Sequence, residues 1–149
     1  MKTVVKTAIH KMVDACRAGE YPALITQMPS GWAVMGMAQF LSGYCLLLPD
    51  PVVPHLNAMS ESARNQFLSD MGKLGDAVFQ ATGALRINYA MFGNVEPALH
   101  AHVIPRFTDE DATMKTAHPW MYDWSAAPGF DLIRHGELAE RIRELLCVD

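Results

Sequence analysis

Leu99-His100-Ala101-His102-Val103-Ile104-Pro105-Arg106 is the stretch from which the rest of the chain is best interpreted. Alternate side chains of a strand share a face. Read as a strand over 98–104, it turns Ala98, His100, His102 and Ile104 one way and the apolar Leu99, Ala101 and Val103 the other. One face is made for a core. The other carries two imidazoles about 6–7 Å apart, from a rise of ~3.3 Å per residue. Spacing alone leaves structural, metal-binding and catalytic readings of this pair open. A metal needs a third or fourth ligand. The nearest carboxylates, Glu96 and Asp109, fall in expected loops, and no His-x-x-Glu-His or Cys-x-x-Cys companion exists. Metal is therefore the minor option.

Working outward, residues 85–91 alternate as a neighbouring strand, with 92–97 as the loop between. Asn88 shares a face with Arg86 and Ala90, opposite Leu85, Ile87, Tyr89 and Met91. An uncharged amide is poorly suited to a strand, so Asn88 is expected to have a partner. Upstream, residues 61–82 give the clearest helix. Ser60 is a good N-cap, Glu61 suits the positive helix end, and Phe67, Met71, Leu74 and Val78 form one buried stripe. Gly83 can take the left-handed conformation that closes it. Residues 3–18 read as an N-terminal helix, 23–28, 32–35 and 43–48 as strands, and 136–147 as a last helix. Short strand-to-strand links favour antiparallel pairing. The expected fold is one α+β domain over 1–149, with an antiparallel sheet, one long helix, and helices at both ends.

Composition narrows the function. Half of the residues are hydrophobic and 19% charged, as in globular proteins, and the formal net charge is −4. That balance argues against general nucleic-acid binding, while an anionic small substrate needs only local donors. Cys16, Cys45 and Cys147 are odd in number and scattered, which favours a reducing compartment. No stretch suggests a membrane span or a secretory leader, so the expectation is a cytoplasmic protein without a membrane partner.

Four segments together carry a family resemblance. Leu85-Arg86-Ile87-Asn88-Tyr89-Ala90-Met91-Phe92-Gly93-Asn94, followed by Pro97-Ala98-Leu99-His100-Ala101-His102-Val103-Ile104-Pro105-Arg106-Phe107, resembles the signature strands of the histidine triad (HIT) superfamily. Gly43-Tyr44-Cys45-Leu46-Leu47-Leu48-Pro49 and the helix opening near Met59-Ser60-Glu61 fall where that family places a strand and its long helix. The likeness runs from about residue 30 to 107 and is nearest to bacterial members labelled diadenosine-polyphosphate hydrolases.

The resemblance implies a nucleotide hydrolase or transferase acting at the α-phosphate. Matching the motif makes His100 the nucleophile and His102 a phosphate ligand or acid, with Ala98 where the first histidine of the triad is expected. Imidazole suits the task, since its ordinary pKa of ~6.5 leaves it neutral and nucleophilic near pH 7. A covalent nucleotidyl-histidine divides one hard displacement into two easier ones, and no metal or cofactor is required. Asn88 becomes a candidate phosphate ligand. Gly93-Asn94 is either a phosphate-binding nest or a plain turn. Arg106 is either a phosphate ligand or half of a surface ion pair. The family's ribose-holding acid is missing, since no acid lies between Glu20 and Asp50 and its place falls at Gly36 and Met37. Trp32, Val34, Phe40 and Leu47 are expected in the core, or else in a pocket for a base. His118 to Trp124 is expected as core packing, or else as a cover over the cleft or a partner contact. His10, His55, His118 and His135 are not expected to take part in catalysis. The family pattern further implies a homodimer in which two sheets combine. Two rival readings remain: a nucleotide-binding protein of weak or no activity, given Ala98 and the missing acid, and a His-pair metal protein.

Overall fold

The computed structural model describes residues 6–148. Helix α1 (Ala8–Arg17) is followed by strands β1 (Leu24–Met28), β2 (Gly31–Met35) and β3 (Cys45–Pro49). The long helix α2 (Glu61–Thr82) leads to β4 (Arg86–Ala90) and β5 (Ala101–Arg106), and α3 (Leu132–Leu146) closes the chain. The strands form one sheet in the order β1-β2-β3-β5-β4, antiparallel throughout. This is the expected α+β arrangement.

Each face of the sheet has its own apolar layer. Ala33, Met35, Cys45, Leu47, Ala101 and Val103 meet Phe67, Leu74, Ala77 and Val78 of α2 and Ile142 of α3. Val34, Leu46, Leu48 and Ile104 meet Ile9, Val13 and Cys16 of α1. Full burial of side chains such as Phe67 and Leu74 contributes about 1.5–3 kcal/mol each. Alternation therefore decides which strand residues stand on the α1 side, and His102 is one of them. Its neighbours across the ladder are Leu46 on β3 and Ala90 on β4.

The boundaries of α2 match the expectation, with Ser60 capping the Ala63 N–H and Gly83 in the left-handed conformation at φ 68°. Three other elements start three or more residues from the expected place. The expected helix over 3–18 is helical from Ala8, with Thr7 and His10 capping it reciprocally, and residues 3–5 lie outside the described residues. The last helix begins at Leu132 rather than 136. Asp131 caps Ile133 and its own N–H donates to His135 Nδ1, while Leu132 and Ile133 are 67% and 94% exposed and give the first turn no apolar stripe. Strand β5 begins at Ala101 rather than 98. Its β4 partner ends opposite His102, and the Leu99 N–H goes to the Val53 carbonyl instead of a neighbouring strand. Among the described residues no helix is long and apolar enough to cross a membrane.

Candidate active site

His100 lies just ahead of β5 and His102 on it, yet their rings come together at 4.9 Å between centroids and 72° between planes. They share a cleft of about 290 Å³ with Phe92, Gly93, Asn94, Val95, Glu96 and Trp120. Asn94 is thus brought to the histidine pair by the loop after β4, where Gly93 takes φ 71°. Glu96 on the same rim is partly engaged, accepting from the Ala8 N–H at the start of α1.

The His100 ring is fixed by its own chain. Its Nδ1 lies 2.8 Å from the Ala98 carbonyl oxygen. A carbonyl only accepts, so Nδ1 carries the proton and, in the neutral ring, Nε2 keeps its lone pair. Residue 98 is an alanine where the family pattern has a histidine, but its backbone still supplies the orienting partner. His102 is held differently. Its Nδ1 is 2.6 Å from the Tyr44 hydroxyl, and the two rings stack with planes 13° apart. Trp120 and Trp124 meet the His102 ring edgewise at 4.9 and 6.0 Å. Burial in this aromatic surround, with His100 alongside, pushes the His102 pKa down to about 4. Among the described residues the only buried side-chain polar atom without a partner is Ser30 Oγ. The Nε2 atoms of both histidines, which have no partner among the described residues, are therefore not sealed off from the cleft that the two rings line.

Asn88 and Arg106 stand on the same side of the sheet as His102 but line a second, larger cleft of about 850 Å³, which shares Phe92 and Trp120 with the first. Arg106 is a buried brace. Its Nε and Nη2 donate to the Glu110 carboxylate, Nη2 also to the Met114 carbonyl, and Nη1 to Asn88 Oδ1 and the Ala117 carbonyl. All five N–H groups are engaged, which leaves none for a phosphate. The expected surface ion pair is instead a buried one, with Arg106 and Glu110 side chains 7% and 4% exposed. Asn88 has the partner its residue type called for, namely Arg106.

Tyr44 and Gln39 are site residues that the sequence reading missed. The buried Gln39 side chain donates to the Gly36 and Tyr44 carbonyls and accepts from the Gly43 N–H, which shapes the turn that presents Tyr44. Gly43 needs φ 104° there, and a Cβ would meet Thr82 Cγ2 at 2.5 Å. The Tyr44 ring lies directly on Gly36, where a Cβ would come within 2.1 Å of it. Of the two positions expected for a ribose-holding acid, Gly36 lies under the Tyr44 ring and Met37 is 50% exposed. Of the residues considered for a base pocket, Val34 and Leu47 are buried in opposite layers, Trp32 donates to Asp50, and Phe40 stacks on Trp124 at 4.0 Å. They do not form one pocket. The 118–124 segment covers the site within the same chain, through Trp120 and Trp124. His118 lines the larger cleft. Among the described residues no three His, Cys, Asp or Glu side chains converge to hold a metal.

Two measurements check this geometry. Arg106→Met strands the buried Glu110 carboxylate, and urea unfolding should show a loss of about 3 kcal/mol; a loss below about 1 kcal/mol would mean that the pair is hydrated. His102 should stay neutral until about pH 4 in an NMR titration of its ring. Because an unfolded imidazole takes up its proton near pH ~6.5, this group favours the fold fully above that value, and its contribution declines as pH falls toward about 4.

Residues 21–109, more than half of the chain, match the HIT domain family. No curated protein matches the sequence. Solved structures similar to the chain include a HIT-like protein involved in cell-cycle regulation from Bartonella henselae, at 17% identity and TM-score 0.72, covering 97% of this chain and 99% of that one. A histidine triad protein from Marinobacter aquaeolei has 14% identity and TM-score 0.74 over 95% and 97% of the two chains. A hypothetical histidine triad nucleotide-binding protein from Sulfolobus tokodaii has 14% identity and TM-score 0.71 over 91% of each. At these identities the likeness is one of fold, and the domain match decides the family: the chain belongs to the HIT domain family.

Proposed function

We propose that this protein is a nucleotide hydrolase or transferase that works at the α-phosphate through a covalent nucleotidyl intermediate on His100. The observation that carries this reading is the Ala98 carbonyl on His100 Nδ1, which leaves the Nε2 lone pair at the open cleft beside His102. Nε2 bonds to the α-phosphorus as the bond to the leaving group breaks, and the leaving group takes the electron pair. The ring then carries a positive charge, and its Nδ1–H still donates to the Ala98 carbonyl. Water, or another acceptor, next attacks phosphorus, the P–N electron pair returns to Nε2, and the proton the acceptor loses passes to solvent. Negative charge gathers on the phosphoryl oxygens, so placed donors lower the barrier. His102 and Asn94 are the donors in this cleft, and Asn88 stands in the neighbouring one. The scheme needs no metal or cofactor.

A nucleotide-binding protein without turnover is the second reading, and one observation favours it. Neither Gly36, which lies under the Tyr44 ring, nor Met37 supplies the acid expected to hold a ribose. Wild type and His100→Ala, each incubated in EDTA with a diadenosine polyphosphate and with an adenosine phosphoramidate, separate the readings by AMP release. Turnover that survives EDTA and falls at least about 10³-fold in the variant supports the proposal. Absence of turnover by wild type, beside measurable AMP affinity, supports the second reading.

The same proposal includes a cytoplasmic homodimer joined through β4, with no nucleic-acid or membrane partner. Strand β4 is an edge of the sheet, and Leu85, Tyr89 and Phe92 on or beside it are 54%, 42% and 60% exposed. Unpaired edges with apolar neighbours favour strand addition. Sedimentation equilibrium at micromolar concentration should give twice the chain mass of 16.5 kDa; a monomer there would refute the dimer.

A further inference from the structure

Tyr44 has a consequence for the leaving group. Its hydroxyl is buried, and 2.6 Å away lies His102 Nδ1, its sole recorded partner among the described residues. If Nδ1–H donated to the phenol oxygen, the hydroxyl hydrogen would be buried without an acceptor. Donation from Tyr44 to Nδ1 satisfies both atoms and places the His102 proton on Nε2. The two histidines are then opposite tautomers at the cleft: His100 offers a lone pair at Nε2 and His102 offers an N–H. For His102 to give that proton away, it would have to become an imidazolate or draw the proton from Tyr44. The second course leaves a phenolate in a site whose burial already holds the Tyr44 hydroxyl well above the ordinary phenol range. His102 so held donates a hydrogen bond and keeps its proton.

We propose that Tyr44 is a positioning residue that locks His102 as a neutral Nε2–H donor, and that the site thereby selects leaving groups that depart without a proton. This rests on the function proposed above. A phosphoanhydride meets the condition, because its nucleotide or polyphosphate leaves as a stable anion with the electron pair of the broken P–O bond. A phosphoramidate does not, because its amine must gain a proton as the P–N bond breaks. His102 supports either reaction by hydrogen-bonding a phosphoryl oxygen, but only the anhydride is complete without a proton donor.

Two readouts test this on the intact protein. Long-range ¹H–¹⁵N NMR at pH 7 should show His102 with Nδ1 unprotonated and Nε2 protonated, and Tyr44→Phe should lose that pattern. A wild-type ring protonated at Nδ1, or a pattern unchanged in the variant, overturns the proposal. This readout needs no turnover, so it stands apart from the failure of the proposed chemistry. The second is the ratio of kcat for a diadenosine polyphosphate to kcat for an adenosine alkylphosphoramidate. Tyr44→Phe should cut anhydride turnover at least about tenfold, with KM within about twofold, and lower the ratio at least about fivefold. An equal fall on both substrates makes Tyr44 merely structural and overturns the selection. Gly36→Ala, whose Cβ would meet the Tyr44 ring at 2.1 Å, should shift the ratio in the same direction without altering Tyr44 itself.

Discussion

Ala101 and Val103 of β5 are fully buried against the α2 layer, and their burial fixes the side on which His102 and Arg106 must stand. A shift of one residue in the ladder would turn the imidazole and the guanidinium into an apolar core, at a cost of several kcal/mol for each unpaired polar group. The central place of β5 between β3 and β4 makes that register rigid from both edges. The site therefore depends on ordinary core packing beneath it, and its cover is tied to this strand by identifiable hydrogen bonds.

Arg106 joins this strand to the segment that covers the site. Its five donors hold Glu110, Asn88 Oδ1 and the carbonyls of Met114 and Ala117. Tyr122 donates to the same Glu110 carboxylate, and Trp124 donates to the Pro119 carbonyl. The aromatic cover over His102 is thus anchored to the strand that carries His102. One result is electrostatic, since the cover removes water from the ring and disfavours its charged form. In the proposed chemistry a neutral His102 places no second positive charge beside the His100 ring, 4.9 Å away, once that ring carries the nucleotidyl group.

The replacement of the triad's first histidine by Ala98 matters less for orientation than side-chain reasoning suggests, because the group that fixes His100 is the backbone carbonyl of that residue. A small apolar side chain also suits the α1 layer, where Ala98 is 1% exposed. The larger departure from the expected pattern lies at Gly36 and Met37, where neither residue is an acid. Tyr44, Gly36 and Gln39 form one unit in which the glycine makes room for the ring and the glutamine holds the turn.

Much of the fold was legible in the chain itself. Periodicity and caps are local properties, so Ser60, Gly83 and the Phe67–Leu74–Val78 stripe placed α2 at the right residues, and alternation placed the strands. The histidine pair and the family pattern around it were legible too, because their residue types and spacing are sequence facts. Elsewhere the deciding partners are far apart in the chain. Tyr44 is 58 residues from His102, and nothing near it marks its hydroxyl as a histidine partner. Arg106 ends its strand in a way that suits phosphate or protein equally, and only the folded arrangement of Glu110, Asn88 and Ala117 assigns its donors. The start of α3 was hidden because its first turn is exposed and carries no buried stripe. Sequence determined the elements, the two faces of each strand and the histidine pair, through interactions within a few residues. Tertiary structure decided the contact between Tyr44 and His102, the burial of His102 and the partner of Arg106, because hydrogen-bond geometry and desolvation arise only where distant segments meet.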